Sequence, residues 1–181
     1  MRLTTPFTYL WRHYQCRKDP VAYFRAQGVR LGNNGQFFGV QPNIFGSEPY
    51  LIEIGDNFVL ADGVRFVTHD GACLVFRQKY PDIDVIAPIK LGNNVFIGMN
   101  SMVLPGVTIG DNVIVGAGSL VTKDVDSGWV VAGVPAKKIK PVEEFEKQAL
   151  ERSLNCKRMS PEDKKAFLIN RYVNAEGGFK Q

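Results

Sequence analysis

Read in blocks of six, residues 85–126 are VIAPIK LGNNVF IGMNSM VLPGVT IGDNVI VGAGSL VTKDVD, and all seven blocks open on Val, Leu or Ile. The fifth position is as restricted, with Ile89, Val95, Ser101, Val107, Val113, Ser119 and Val125. An amphipathic helix repeats its apolar residues every three or four positions and a half-buried strand every two, so a strict six fits neither. It fits a coil of short strands and corners. The opening and fifth side chains point inward, and Gly or Asn takes the positive φ of the turn. Three hexads close one triangular coil, so 91–108 and 109–126 are two coils stacked in parallel.

Working outward, IGDNFV, LADGVR and FVTHDG, residues 54–71, form an earlier coil. The stretch 72–84 then breaks the phase and must loop outward before the repeat resumes at Val85. LGNNGQ and FFGVQP, residues 31–42, are opening hexads, and a smaller excursion through Gly46, Ser47, Glu48 and Pro49 precedes Leu51. The sequence therefore predicts an all-β fold with helical ends, a parallel β-helix of about four coils over 29–140 with an inserted loop at 72–84. Residues 1–28, with Tyr9, Leu10, Trp11, Tyr14, Tyr23 and Phe24, form a helical cover for the open first coil, whose strand edges would otherwise be exposed. Residues 141–181 form a helical extension. VEEFEKQALERSL has its apolar residues on a helical period, and Ser160 followed by Pro161, Glu162 and Asp163 is a second helix start.

Length and composition bound the function. At 181 residues and 45% apolar, the chain is one domain with a narrow core. A net charge of +4 with scattered basic residues lacks the stripe that nucleic acid requires. No run approaches eighteen apolar residues and no signal peptide opens the chain, which places it in the cytoplasm without a membrane segment. Cys16, Cys73 and Cys156 are odd in number and lack metal-ligand spacing, so they read as reduced thiols. Lys123, Lys137, Lys138 and Lys140 cluster where the repeat ends, which suits a phosphate or a solvated tail.

The stretches FGSEPYLIEIGDN, GVRFVTHDG, LGNNVFIGMNSMVLPGVTIGDNVIVGAGSLVTKDV and VVAGVPAKKI, spanning roughly 28–140, resemble the hexapeptide-repeat acyltransferases with left-handed parallel β-helices. The resemblance is to the maltose and galactoside O-acetyltransferase branch and its relatives in polysaccharide gene clusters. It implies direct acetyl transfer from acetyl-CoA to a sugar hydroxyl without an acyl-enzyme, in surface polysaccharide modification, by a homotrimer that needs no metal. The competing reading is N-acetylation of an amino sugar or a nucleotide-linked amino sugar.

An alcohol attacking a thioester must lose its proton, and histidine is suited to take it at neutral pH. Of two histidines, His13 lies in the aromatic N-terminal segment and reads as packed, whereas His69 sits beside the long insertion at the position matching the family's general base. Asp70, Asp82 and Asp84 are candidates for orienting it. The resemblance places coenzyme A against Ala117, Thr122, Lys123, Lys137 and Lys140, with lysine standing for arginine at 137 and 140. It is expected to lie along a different edge of the coil from His69. Glu48, Tyr50, Arg77 and Asp84 are candidates for holding the acceptor sugar. A zinc carbonic anhydrase on the same fold would need three histidine ligands, and a purely structural β-helix would show flat Thr or Ser rows. The chain has neither.

Overall fold

The computed structural model describes residues 6–174, so residues 1–5 of the expected cover and 175–181 of the expected extension lie outside it. Two helices, α1 (Pro6–Lys18) and α2 (Pro20–Arg25), precede a run of short strands. These are β1 (Arg30–Leu31), β2 (Gln36–Phe37), β3 (Ile52–Ile54), β4 (Val59–Leu60), β5 (Arg65–Phe66), β6 (Ile89–Leu91), β7 (Val95–Ile97) and β8 (Met102–Val103). After them come β9 (Thr108–Ile109), β10 (Val113–Val115), β11 (Leu120–Val121), β12 (Trp129–Ala132) and β13 (Lys137–Pro141), then helices α3 (Val142–Arg152) and α4 (Pro161–Tyr172). The chain divides into two compact units after Phe145, within α3. None of the described helices is long and apolar enough to cross a membrane.

In the first unit the strands from β3 to β11 pair three apart in sequence, and the first and last coils shorten the step to two. One face has the order β1-β3-β6-β9, a second β13-β12-β10-β7-β4-β2 and the third β11-β8-β5. All pairings are parallel except β12 with β13, which folds back antiparallel across Gly133 and covers the terminal edge. Ile54 pairs with Leu91 and Leu91 with Ile109, so the step is 37 residues across the insertion and 18 without it. The 37-residue step exceeds the 18-residue step by 19, six more than the loop read from the sequence.

The excess falls on both sides of that loop, because the hexad VIAPIK is split. Its opening residue, Val85, is 47% exposed and its first part is the returning arm of the excursion, with Ile86 opposite His69, whereas Ile89 and Lys90 already belong to β6 on the coil. The other openings, Leu91, Ile97, Val103, Ile109, Val115 and Val121, are buried, as is every fifth residue from Ile89 to Val125. The hexad FFGVQP also departs from the pattern: its fifth residue, Gln41, is exposed and accepts a hydrogen bond from Arg65 at 3.1 Å. One fifth position is empty by design. At Gly35 a Cβ would collide with the ring of Phe58, which fills the space from the next coil.

Asn34, Asn57, Asn94 and Asn112 hold the left-handed corner of successive coils at φ of 54–57°, a conformation that a short polar side chain tolerates. Asn34 Nδ2 donates to Asn57 Oδ1 at 3.1 Å and Asn94 Nδ2 to Asn112 Oδ1 at 3.0 Å, so that corner is tied side chain to side chain. The N-terminal cover is made by fewer residues than expected. Cys16 and Phe24 are buried, with Val21 and Tyr23 packed against the core, whereas Tyr9, Leu10, Trp11 and Tyr14 face outward. Cys16 lies a third to nearly half of a helical turn round from Leu10, Trp11 and Tyr14, so α1 cannot seat both faces, whereas Tyr9, two turns before Cys16, shares its side. Burial pushes the Cys16 thiol up to about 11, against the pull of Arg12 and Arg17, and keeps it protonated at neutral pH.

The second unit is described by itself. Ser160 accepts from Asp163 N at 3.1 Å and caps α4, with Pro161 in the first turn and Glu162 and Asp163 at the positive end of the helix.

Candidate active site

His69 sits just beyond the end of β5. Val67 N still donates to Val103 O at 2.9 Å, and then the chain meets the returning arm of the excursion. Ala87 N donates to Thr68 O and Asp70 N to Val85 O, both at 2.9 Å, with His69 opposite Ile86 in an antiparallel bridge. That short ladder brings Asp84 to the imidazole: His69 Nε2 lies 2.9 Å from Asp84 Oδ1. Asp70 is used otherwise, accepting from Ala72 N at 2.9 Å to cap the 3-10 turn Gly71–Phe76, and Asp82 is exposed.

A second carboxylate arrives from the smaller excursion. Glu48 precedes the 3-10 turn Pro49–Leu51, and its Oε2 accepts from the buried Thr68 hydroxyl at 2.7 Å. Its Oε1 lies 3.8 Å from His69 Nδ1, beyond hydrogen-bond length. Arg77 Nη2 is 3.7 Å from Asp84 Oδ1, and Arg77 Nε is buried with no hydrogen-bond partner among the described residues. His69, Glu48, Arg77 and Asp84 are thus brought together. Tyr50 is not: it lies in the 3-10 turn with its Cβ against the Gly28 backbone. Thr68 is the member the sequence reading missed. Its position is neither the first nor the fifth of its hexad, so periodicity gives no signal for it.

An ionised carboxylate only accepts, so a hydrogen bond across the 2.9 Å contact with Asp84 is one donated by Nε2. Nδ1 is then the nitrogen that faces Glu48, 3.8 Å away. The side chain of His69 is 29% exposed, enough for a solute to reach it. An imidazole with one nitrogen fixed by a carboxylate and the other open can take a proton from an approaching nucleophile. His13 has no such setting: its Nδ1 is 2.9 Å from Tyr9 O within α1, and its ring is tilted against Tyr9 at 4.1 Å.

Three of the positions expected to hold a cofactor, Ala117, Thr122 and Lys123, fall on two corners of one face, and Lys137 and Lys140 lie on β13 of another. Phe66 pairs with Val103 and Val103 with Val121, so Thr122 and Lys123 are in register with Val67 and Thr68, on the corner that carries His69. At two strand spacings that is about 10 Å along the coil axis. The expectation that His69 and the whole coenzyme groove lie on different edges is therefore corrected for these two residues. Ala117 stands at the other corner, before β11, beside the column Ala61, Gly98, Gly116 and Ala132, where no side chain extends past Cβ. Lys137 lies on β13 and is exposed. Lys140 Nζ is 3.3 Å from Glu144 Oε1, and Lys138 pairs with Asp126 at 2.7 Å while lying over the Trp129 ring, so both charges already have an anion or a ring beside them.

The repeat and this corner define a class, and comparison with known proteins agrees. Residues 88–123 match the family described as bacterial transferase hexapeptide (six repeats). The chain is 53% identical over 148 residues, 82% of its length and 86% of the relative's, to Protein CapG of Staphylococcus aureus. It is 35% identical over 130 residues to the galactoside O-acetyltransferase of Escherichia coli, covering 72% of this chain and 62% of that one. A hexapeptide-repeat acetyltransferase of Vibrio cholerae, solved in complex with acetyl coenzyme A, has the same fold at a TM-score of 0.52 and 21% identity, over 76% of this chain and 90% of that one. The chain belongs to the bacterial hexapeptide-repeat transferases, and the match implies a left-handed parallel β-helix.

Proposed function

We propose that this protein is an acetyl-CoA-dependent O-acetyltransferase that acts on a sugar hydroxyl in surface polysaccharide modification, in the cytoplasm, as a homotrimer. The observation that carries the reading is the His69–Asp84 contact at 2.9 Å, on a partly exposed side chain whose Nδ1 faces Glu48 at 3.8 Å. The acceptor hydroxyl gives its proton to Nδ1 as its oxygen attacks the acetyl carbonyl carbon. The tetrahedral intermediate collapses, the carbon–sulfur bond breaks, and the proton passes from Nδ1 to the departing thiolate. Asp84 holds the ring through Nε2–H and stabilises the imidazolium that forms between the two proton transfers. Thr122 and Lys123 on His69's corner, with Ala117 and Lys137, are the proposed contacts of the coenzyme, Lys123 toward a phosphate. Support for a sugar acceptor comes from the galactoside O-acetyltransferase relative.

The test is an acceptor screen with acetyl-CoA, following thiol release and identifying the product by mass and NMR. An ester on a sugar oxygen is expected, and an amide would overturn the hydroxyl reading in favour of an amino sugar. His69→Ala is expected to lower kcat by about 10²- to 10⁴-fold while acetyl-CoA still binds. Undiminished turnover by that variant would remove His69 from the mechanism.

A further inference from the structure

Two hydrogen-bond acceptors face one opening. Glu48 Oε2 is taken by the Thr68 hydroxyl at 2.7 Å, whereas Oε1 has no hydrogen bond among the described residues and lies 3.8 Å from the lone-pair nitrogen of His69. The Glu48 side chain is only 13% exposed, so the protein has placed a carboxylate in a half-desolvated position and left one oxygen of it open beside the base. A carboxylate kept from water needs a donor. Arg77 reaches for Asp84, 3.7 Å away, and among the described residues no lysine or arginine forms an ion pair with Glu48.

A single attacking hydroxyl cannot satisfy both acceptors, because it has one proton and that proton leaves for Nδ1. Two hydroxyls on adjacent carbons can. Their oxygens in a gauche pair stand about 2.9 Å apart, roughly an ångström less than the 3.8 Å between the two acceptors, so the two donated bonds splay slightly from the diol toward the protein. We infer that Glu48 binds the hydroxyl next to the one that is acetylated, so that the acceptor of this enzyme presents a vicinal diol to Glu48 and His69 together. The inference rests on the acetyl-transfer reading above. It adds no step to the chemistry: the hydroxyl held by Glu48 keeps its proton throughout, while its neighbour loses one to Nδ1 and gains the acetyl group. Glu48 is then the residue that chooses which hydroxyl of the sugar reacts, because it fixes the ring by the oxygen alongside.

The test is a cycle between the side chain and the substrate. Methyl glycosides of galactose, glucose and mannose, and their monodeoxy analogues, are assayed with acetyl-CoA against the wild type and Glu48→Gln. The carboxamide oxygen can still accept from Thr68, and an unchanged thermal midpoint checks that the variant is folded. For the wild type, removing the hydroxyl beside the acetylated one is expected to lower kcat/KM by about 10- to 100-fold, the loss of a hydrogen bond to a charged group. Glu48→Gln is expected to lose a similar factor on the diol and to change little on the deoxy analogue. Equal losses by the variant on both acceptors would overturn the inference and assign Glu48 to holding His69. A wild type indifferent to the neighbouring hydroxyl would overturn it as well, with acetyl transfer intact. Transfer to none of these glycosides would instead overturn the sugar O-acetyl reading on which the inference stands.

Discussion

A carboxylate accepts hydrogen bonds and cannot give them, so the proposed mechanism has the proton of His69 on Nε2, against Asp84, and the lone pair on Nδ1. Asp84→Asn keeps the shape and loses that constraint, since a carboxamide can present its NH₂ to Nε2 and drive the proton to Nδ1, where the base is needed. In that variant kcat is expected to fall by about 10²- to 10⁴-fold, as for other misprotonated dyads. Asp70→Asn and Asp82→Asn, whose side chains are engaged elsewhere or exposed, should stay within a few-fold, and parallel steady-state assays of the three variants check this. From sequence these acids were equivalent, because all lie within fifteen residues of His69. The antiparallel bridge between His69 and Ile86 is what separates them, and no periodicity announces a bridge formed across a loop. Glu48 is harder still to read. It is 21 positions upstream of His69 in a different excursion, and only coil stacking brings the two together. The coenzyme positions follow the same logic of charge already in use. Lys140 has Glu144 at 3.3 Å, whereas Lys123 is exposed on His69's corner. Lys123→Ala is expected to raise KM for acetyl-CoA about tenfold and to raise it less for the donor lacking the 3′-phosphate, with Lys140→Ala the milder of the two. Equal effects on both donors would remove Lys123 from the phosphate.

Within an element, the hexad states which side chains point inward but not what they do there. Leu91 through Val121 at every sixth residue, and Ile89 through Val125 at the fifth, are buried because a coil of fixed circumference returns each position to the same wall. Val85 obeys the same letter pattern and is exposed, since the first part of its hexad pairs with His69's segment and only Ile89 and Lys90 rejoin the coil. Two fifth positions are serine, and polarity at a core position is legible; the reason for it is not. Ser101 Oγ donates to Gly116 O at 2.9 Å and accepts from Ser119 N at 3.2 Å, and Ser119 Oγ donates to the same carbonyl at 2.6 Å and accepts from Gly133 N at 3.2 Å. The serines satisfy backbone groups at a corner where the coil turns too sharply for a ladder bond. Ser101→Ala leaves the buried Ser119 N–H unpaired, at a cost of about 1–3 kcal/mol, and should lower Tm by roughly 2–10 °C for a chain of this length. Thermal denaturation of Ser101→Ala beside Ser47→Ala, an exposed control, measures it, and equal midpoints would show that the ladder is dispensable.

At the scale of the molecule, the proposed coenzyme contacts Ala117, Thr122 and Lys123 stand at two corners of one face. Ala117 and Lys123 are six residues apart across β11 and its flanking turns. Ala117's corner has beside it the column Ala61, Gly98, Gly116 and Ala132, with nothing beyond Cβ, and the exposed Met99 next to that column, whereas His69's corner carries the proposed base and Lys123. A closed three-fold ring of parallel coils would bring two such corners together, because each chain would meet the next with a different corner and His69 of one would face Ala117 of its neighbour. The proposed trimer should sediment at about three times the 20.2 kDa of the chain. Ala117→Trp should block the smooth corner without touching His69, and His69→Ala should remove the base without touching the corner, so each homotrimer should be nearly inactive. In mixed trimers some interfaces pair an intact His69 with an intact Ala117, and co-expression should restore a measurable fraction of activity. Recovery in verified mixed trimers is the outcome that a site shared between chains requires, and inactivity there, or a fully active monomer, would mean that each chain completes its site alone.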